Sequence, residues 1–217
     1  LATFSSSARK MNVQPYHIPA APVRFEEELK KSLFITYLAH TPGVDAAKAF
    51  VDEIKSRHAD ARHNCWAFVA GRPQDSMLWG FSDDGEPSGT AGKPILAQLS
   101  GSGVGEMTAV VTRYYGGIRL GTGGLVKAYG GGVQQALKLL QTIEKKITTK
   151  LHLTLDYGLV ALAQSIMSQF EAAEVDAEYG ESVCLTVELE CLHVEAFTQS
   201  IINKSGAKIL VAGVENS

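Results

Sequence analysis

Cysteine, long apolar runs and surplus positive charge are all scarce in this sequence. Three cysteines, Cys65, Cys184 and Cys191, stand among 217 residues, and no Cys-x-x-Cys pair occurs. A sparse, odd-numbered set builds neither a disulfide framework nor a zinc site and suits a reducing, cytoplasmic compartment. No apolar stretch approaches the ~18–20 residues that a helical membrane span needs, so no membrane partner is expected. The 20 Lys and Arg against 23 Asp and Glu leave a formal charge of −3. That excludes the strongly basic surface of proteins that hold nucleic acid by charge alone. The first ten residues, LATFSSSARK, lack the apolar core of a signal peptide. Residues 1–14 read as a disordered leader, with Met11 a natural start.

What is present is a chain with 45% hydrophobic residues, enough to bury a core, whose pattern alternates between period 2 and period 3.6. Strands are expected at 22–30, 32–40, 63–70, 77–81 and 107–115. Helices are expected at 44–58, 91–100 and 123–141. The charged run Glu144-Lys145-Lys146 reads as a turn and a boundary. Beyond it, a strand at 147–157, a helix at 158–173, strands at 175–179 and 182–191, a helix at 193–205 and a strand at 207–212 give a ferredoxin-like βαββαβ order. The class is α+β, with domains at 15–145 and 146–217. Residues 1–145 hold 16 basic and 13 acidic residues, net +3; residues 146–217 hold 4 and 10, net −6. An anion site therefore belongs in the first domain.

Glycine is concentrated there too: 15 of the 21 fall between Gly80 and Gly132. Glycine admits positive φ and close backbone approach, so this density marks tight turns or a surface that other atoms must reach. No standard nucleotide motif fits. Pro87 stands where a Walker A loop needs its first glycine and Pro94 where it needs Ser or Thr; Val126 stands where a dinucleotide fingerprint needs its last glycine. A more general feature remains. Gly121 to Gly124 lead into a helix whose first N–H groups lack partners and favour an anion. The alternative is a plain glycine turn. Gly130-Gly131-Gly132 inside that helix costs roughly 1 kcal/mol per residue relative to alanine, which points to close packing, a hinge or a ligand-facing gap.

Single residues carry alternatives as well. Arg113 and Tyr115 share a strand face and could meet a phosphate and a base, or Arg113 could pair with Asp83, Asp84 or Glu86. His63 and Cys65 share a face, but a small buried cysteine is commoner than a nucleophile. Asp83, Asp84 and Glu86 could hold a magnesium ion through waters or be a solvated loop.

Four segments, Arg62 to Ala67 (RHNCWA), Ser82 to Pro94 (SDDGEPSGTAGKP), Arg113 to Gly117 (RYYGG) and Leu120 to Tyr129 (LGTGGLVKAY), resemble the IMPACT family and its bacterial members in particular. The resemblance covers roughly 15–217. It implies an N-terminal domain like the second domain of ribosomal protein S5. It also implies a C-terminal domain like the ferredoxin-like domains of translocating elongation factors. It supplies no catalytic residue, cofactor or metal. The expected function is a non-catalytic, translation-associated protein that binds RNA or the ribosome. A protein–protein regulator and an enzyme on a phosphorylated or nucleotide substrate are the alternatives. The expected ligand-binding cleft collects Asp83, Asp84, Glu86, Ser88, Gly89, Thr90, Gly92 and Lys93 from the first loop. It takes Arg113, Tyr115, Gly116, Gly117 and Arg119 from the second, and Gly121, Gly123, Gly124 and Lys127 from the third.

Overall fold

The structure is a computed structural model that describes residues 13–213, so most of the expected leader lies outside the described residues. The fold is α+β and divides into two units, one of them Tyr16–Lys145 and the other containing Lys146 onward.

The first unit begins with β1 (Tyr16–Pro19), β2 (Val23–Leu29) and β3 (Ser32–His40). Then come α1 (Val44–Arg57), β4 (His63–Val69), β5 (Trp79–Ser82), α2 (Gly92–Gly101), β6 (Met107–Tyr114), α3 (Thr122–Leu139) and β7 (Thr142–Lys145). Five strands form an antiparallel sheet in the order β2-β3-β6-β4-β5. Its central strands are apolar on both faces because both are covered. On one face Ile35, Tyr37 and Val110 meet Val51 and Ile54 of α1. On the other, Phe34, Leu38, Cys65, Ala67, Ala109 and Val111 meet Ile95 and Leu99 of α2 and Leu125, Tyr129 and Val133 of α3. Each fully buried Val, Leu, Ile or Phe among them contributes about 1.5–3 kcal/mol. Side-chain alternation puts His63 of β4 and Arg113 of β6, paired across the two strands, on the α3 face.

The triple glycine of α3 has a partial packing explanation. A Cβ on Gly132 would lie 2.8 Å from Thr36 Oγ1 in β3, whereas Gly131 has open space and Gly130 ordinary contact distances.

Two expectations fail at the end of this unit. The helix stops at Leu139, not 141, since Leu140 turns to extended geometry. Residues 142–145 then form a strand, not a turn, paired antiparallel with the unanticipated β1, Ile18 opposite Ile143 and Tyr16 opposite Lys145. Both lysines of the charged run have partners, Lys146 pairing with Glu190. Lys145 Nζ bonds the buried Glu106 carboxylate, which also accepts from Tyr16 Oη at 2.8 Å and lies 2.7 Å from His40 Nε2. Burial alone would raise the Glu106 pKa; the three bonds outweigh it and hold the group below its ordinary value.

The second unit contains β8 (Thr148–Leu155), α4 (Val160–Gln169), β9 (Ala173–Tyr179), β10 (Val183–Glu190), α5 (Val194–Ser205) and β11 (Leu210–Gly213). The sheet order is β11-β8-β10-β9, antiparallel throughout, so β10 inserts between two strands joined by α4. This is the split βαβ arrangement. Leu153, Val187, Ile166, Phe197 and Ile201 centre its core. The expected helix 158–173 is shorter: a 3₁₀ turn precedes Val160, the helix ends at Gln169, and Glu171 at φ 53° turns the chain toward β9.

Candidate functional site

The loop after β5 is built around one carboxylate. Asp83 Oδ1 accepts the backbone N–H groups of Ala91 and Gly92 at 3.0 and 2.8 Å, and Oδ2 accepts that of Gly89 at 2.8 Å. Asp83 thereby caps α2 from eight residues upstream and closes the loop on itself. Burial pushes its pKa up, but the three N–H groups and the Lys93 charge bring it below the usual range. Thr90 Oγ1 donates to the Pro87 carbonyl at 2.6 Å. Gly92 is required by contact, since a Cβ there would come within 2.8 Å of the Ser82 backbone.

The next two acids are engaged as well. Asp84 accepts from Lys55 Nζ at 2.7 Å and from the Asn64 N–H at 2.8 Å. Glu86 Oε1 accepts from Arg113 Nη1 and from Tyr129 Oη, each at 2.6 Å. The side chains of Glu86 and Arg113 are 4% and 7% exposed, which makes this a buried ion pair and selects Glu86 among the three partners considered for Arg113. The magnesium alternative for Asp83, Asp84 and Glu86 is overturned, because each carboxylate faces a different set of donors. Among the described residues no group of three or more His, Cys, Asp or Glu is arranged to hold a metal.

Arg113 is wedged between the rings of Phe34 and Tyr115, at 5.5 and 5.4 Å from their centroids. Its Nε is buried without a hydrogen-bond partner. Cys65 Sγ donates to the Asp83 carbonyl at 2.9 Å. Burial pushes the Cys65 thiol far up, so it stays protonated and is a poor nucleophile. Burial likewise raises Tyr129 strongly.

Above this buried layer lies a cavity of about 450 Å³. Of the anticipated residues, Glu86, Arg113, Tyr115, Arg119 and Gly121 line it. So do Arg62, His63, Pro87, Leu120, Thr122 and Leu125, which were not expected there. The signal for Arg62 and His63 was available: they open the RHNCWA segment, and His63 shares the Arg113 face.

The remaining expected residues are nearby supports or lie apart from the lining. Ser88 and Lys93 are exposed on the loop and at the start of α2, while Gly89, Thr90 and Gly92 are held by the bonds above. Gly116 lies against β3: a Cβ there would overlap the Lys31 carbonyl. Gly117 and Gly121 have φ of 87° and 76°, values that favour glycine. Gly123 and Gly124 lie in the first turn of α3, and Lys127 is exposed one turn in. Neither lysine lines the cavity, so its cations are Arg62, Arg113 and Arg119. With Glu86 these leave a formal +2 around the cavity. The Gly121 N-cap has no side chain to bond the first N–H groups of α3, which leaves them open to an anion.

A family model described as the Impact N-terminal domain matches residues 30–137. The chain is 52% identical over 203 residues to IMPACT family member YigZ of Escherichia coli strain K12, covering 94% of this chain and 100% of that one. The chain belongs to the IMPACT family. A second IMPACT family member, from Haemophilus influenzae, is 49% identical over 92% of this chain and 97% of its own length. A further family model, described as a domain of unknown function (DUF1949), matches residues 153–208, within the βαββαβ unit. A crystal structure described as that of a hypothetical protein, 52% identical, superimposes with a TM-score of 0.67 over 94% of this IMPACT chain and 99% of that one. No helix among the described residues is long and apolar enough to cross a membrane.

Proposed function

We propose that this IMPACT family member is a non-catalytic, cytoplasmic protein associated with translation, and that its N-terminal unit binds RNA on or near the ribosome. One observation carries the reading. Arg62 and Arg119, the uncapped start of α3 and the exposed ring of Tyr115 converge on a single cavity. Arginine guanidinium groups and backbone N–H groups suit phosphate, and an exposed aromatic ring beside them suits an unstacked base. The resemblance of both domains to parts of the translation machinery supports the same partner. The acidic second unit limits broad backbone affinity and favours contact confined to the cavity.

Arg113 is neutralised by Glu86, which leaves Arg62 and Arg119 as the cations for phosphate. At a slope of about 0.7 per single-strand phosphate, two contacts lower affinity about sevenfold between ~50 and ~200 mM salt. Titration of short RNAs and co-sedimentation with ribosomes test this. Arg119→Ala and Tyr115→Ala should weaken binding and Arg119→Ala should also flatten the salt slope, while Lys208→Ala in the acidic unit should change nothing. Unchanged binding by both cavity variants would reject the reading in favour of a protein partner.

A further inference from the structure

We infer that the cavity recognises the terminal phosphate monoester of a nucleotide, free or at the end of an RNA chain, in preference to an internal phosphodiester. This rests on the RNA-binding reading of the same cavity and names the part of the RNA that enters.

The first argument is shape. The cavity, about 450 Å³, is in the size range of small-molecule sites. Its inner wall is the buried Glu86–Arg113 pair, with Tyr129 bonded behind it. A terminal phosphate can enter end-on and meet that wall.

The second argument is charge. Arg62 and Arg119 are exposed, the Arg113 charge is met by Glu86, and the α3 terminus adds about half a unit. A phosphate monoester carries about −1.5 to −2 near neutrality, which matches this set. A diester brings a single charge and leaves part of it unmet.

The third argument is His63. Its Nδ1 lies 2.9 Å from the Asp84 carbonyl oxygen. A carbonyl accepts and never donates, so Nδ1 carries the hydrogen. Gly85, at φ 86°, lets the loop come this close: a Cβ there would lie 3.3 Å from Nδ1. Nε2 is the nitrogen left over, 3.9 Å from Glu86 Oε2 and beyond hydrogen-bond reach of it. The charged groups around the ring are Arg62 beside it in sequence, Arg113 across the strand pair, Glu86 from the loop, and Arg119 on the cavity wall. Nε2 can therefore accept a hydrogen bond from the P–O–H group that a monoester at one negative charge still carries. A diester has no such proton. His63 is a specificity residue of the cavity.

The test uses the full chain and three RNA trinucleotides of one sequence, ending in a 5′-phosphate, a 3′-phosphate or hydroxyls at both ends. A nucleoside 5′-monophosphate and inorganic phosphate serve as competitors. At least one phosphorylated form should bind about tenfold more tightly than the hydroxyl form, and His63→Gln should shrink that ratio below about threefold while circular dichroism shows it folded. Competition by the mononucleotide equal to that of the best trinucleotide assigns the free nucleotide as the source; weaker competition assigns the RNA end. Equal binding of phosphorylated and hydroxyl-ended RNA overturns end recognition and leaves the RNA reading standing. No binding of any form overturns both, and the wild-type comparison decides this without any variant.

Discussion

Two hydrogen bonds of 2.6 Å, from Arg113 and Tyr129, end on one oxygen of Glu86 among side chains almost wholly buried. Removing one partner of such a pair strands the other charge, so Glu86→Ala should cost about 3–5 kcal/mol, measured by urea denaturation. The same logic makes Arg113→Ala a poor probe of binding, since it would lower stability and ligand affinity together. Glu106 gives a pH prediction. Its folded pKa is depressed, so the stability it contributes is complete above the ordinary glutamate value and is lost as pH falls through the lowered one. Glu106→Gln should flatten that acid limb in a pH series of denaturation curves. The row Asp83-Asp84-Gly85-Glu86 is visible in the sequence as an acidic loop. Its roles are not, because the partners Lys55, Arg113 and Tyr129 come from α1, β6 and α3, and no local spacing rule connects them. Arg113 is legible as a candidate, and of its two readings the ion pair is the one that the geometry supports.

Helix α3 carries three glycines in a row, and they do different things: Gly132 meets the sheet, Gly130 lies beside Pro94 of α2 and Gly131 meets neither. Gly131 faces open space, so Gly131→Ala should stabilise the protein by about 0.5–1 kcal/mol through helix propensity alone. Gly132→Ala should destabilise it, because the new methyl meets Thr36. Thermal melting of the two variants checks the opposite signs. Most elements of both units were readable from period 2 and period 3.6 patterns, since buried faces write those periods into the chain. β1 and β7 escaped. What fixes them is each other and the distant Glu106, which no local pattern shows. The long helix expected at 158–173 failed for a related reason: apolar residues continue past Gln169, but those from Ala173 belong to the strand that follows.

The two units have separate cores, each with its own sheet and helices. We propose that residues 146–217 fold alone, and a dispersed amide NMR spectrum of that fragment is the expected outcome. A collapsed spectrum would show that its core needs the first unit. The charge contrast, net +1 for residues 16–145 against −6 for 146–217 by sequence, fits a molecule whose ligand chemistry sits in one half. Strand β1 has one more consequence. Because Tyr16 and Lys145 face each other in register, the polypeptide enters and leaves the first unit at a single spot. A module whose ends meet can be spliced into the loop of an unrelated host, or cut elsewhere and circularly rejoined, while its interior stays as it was.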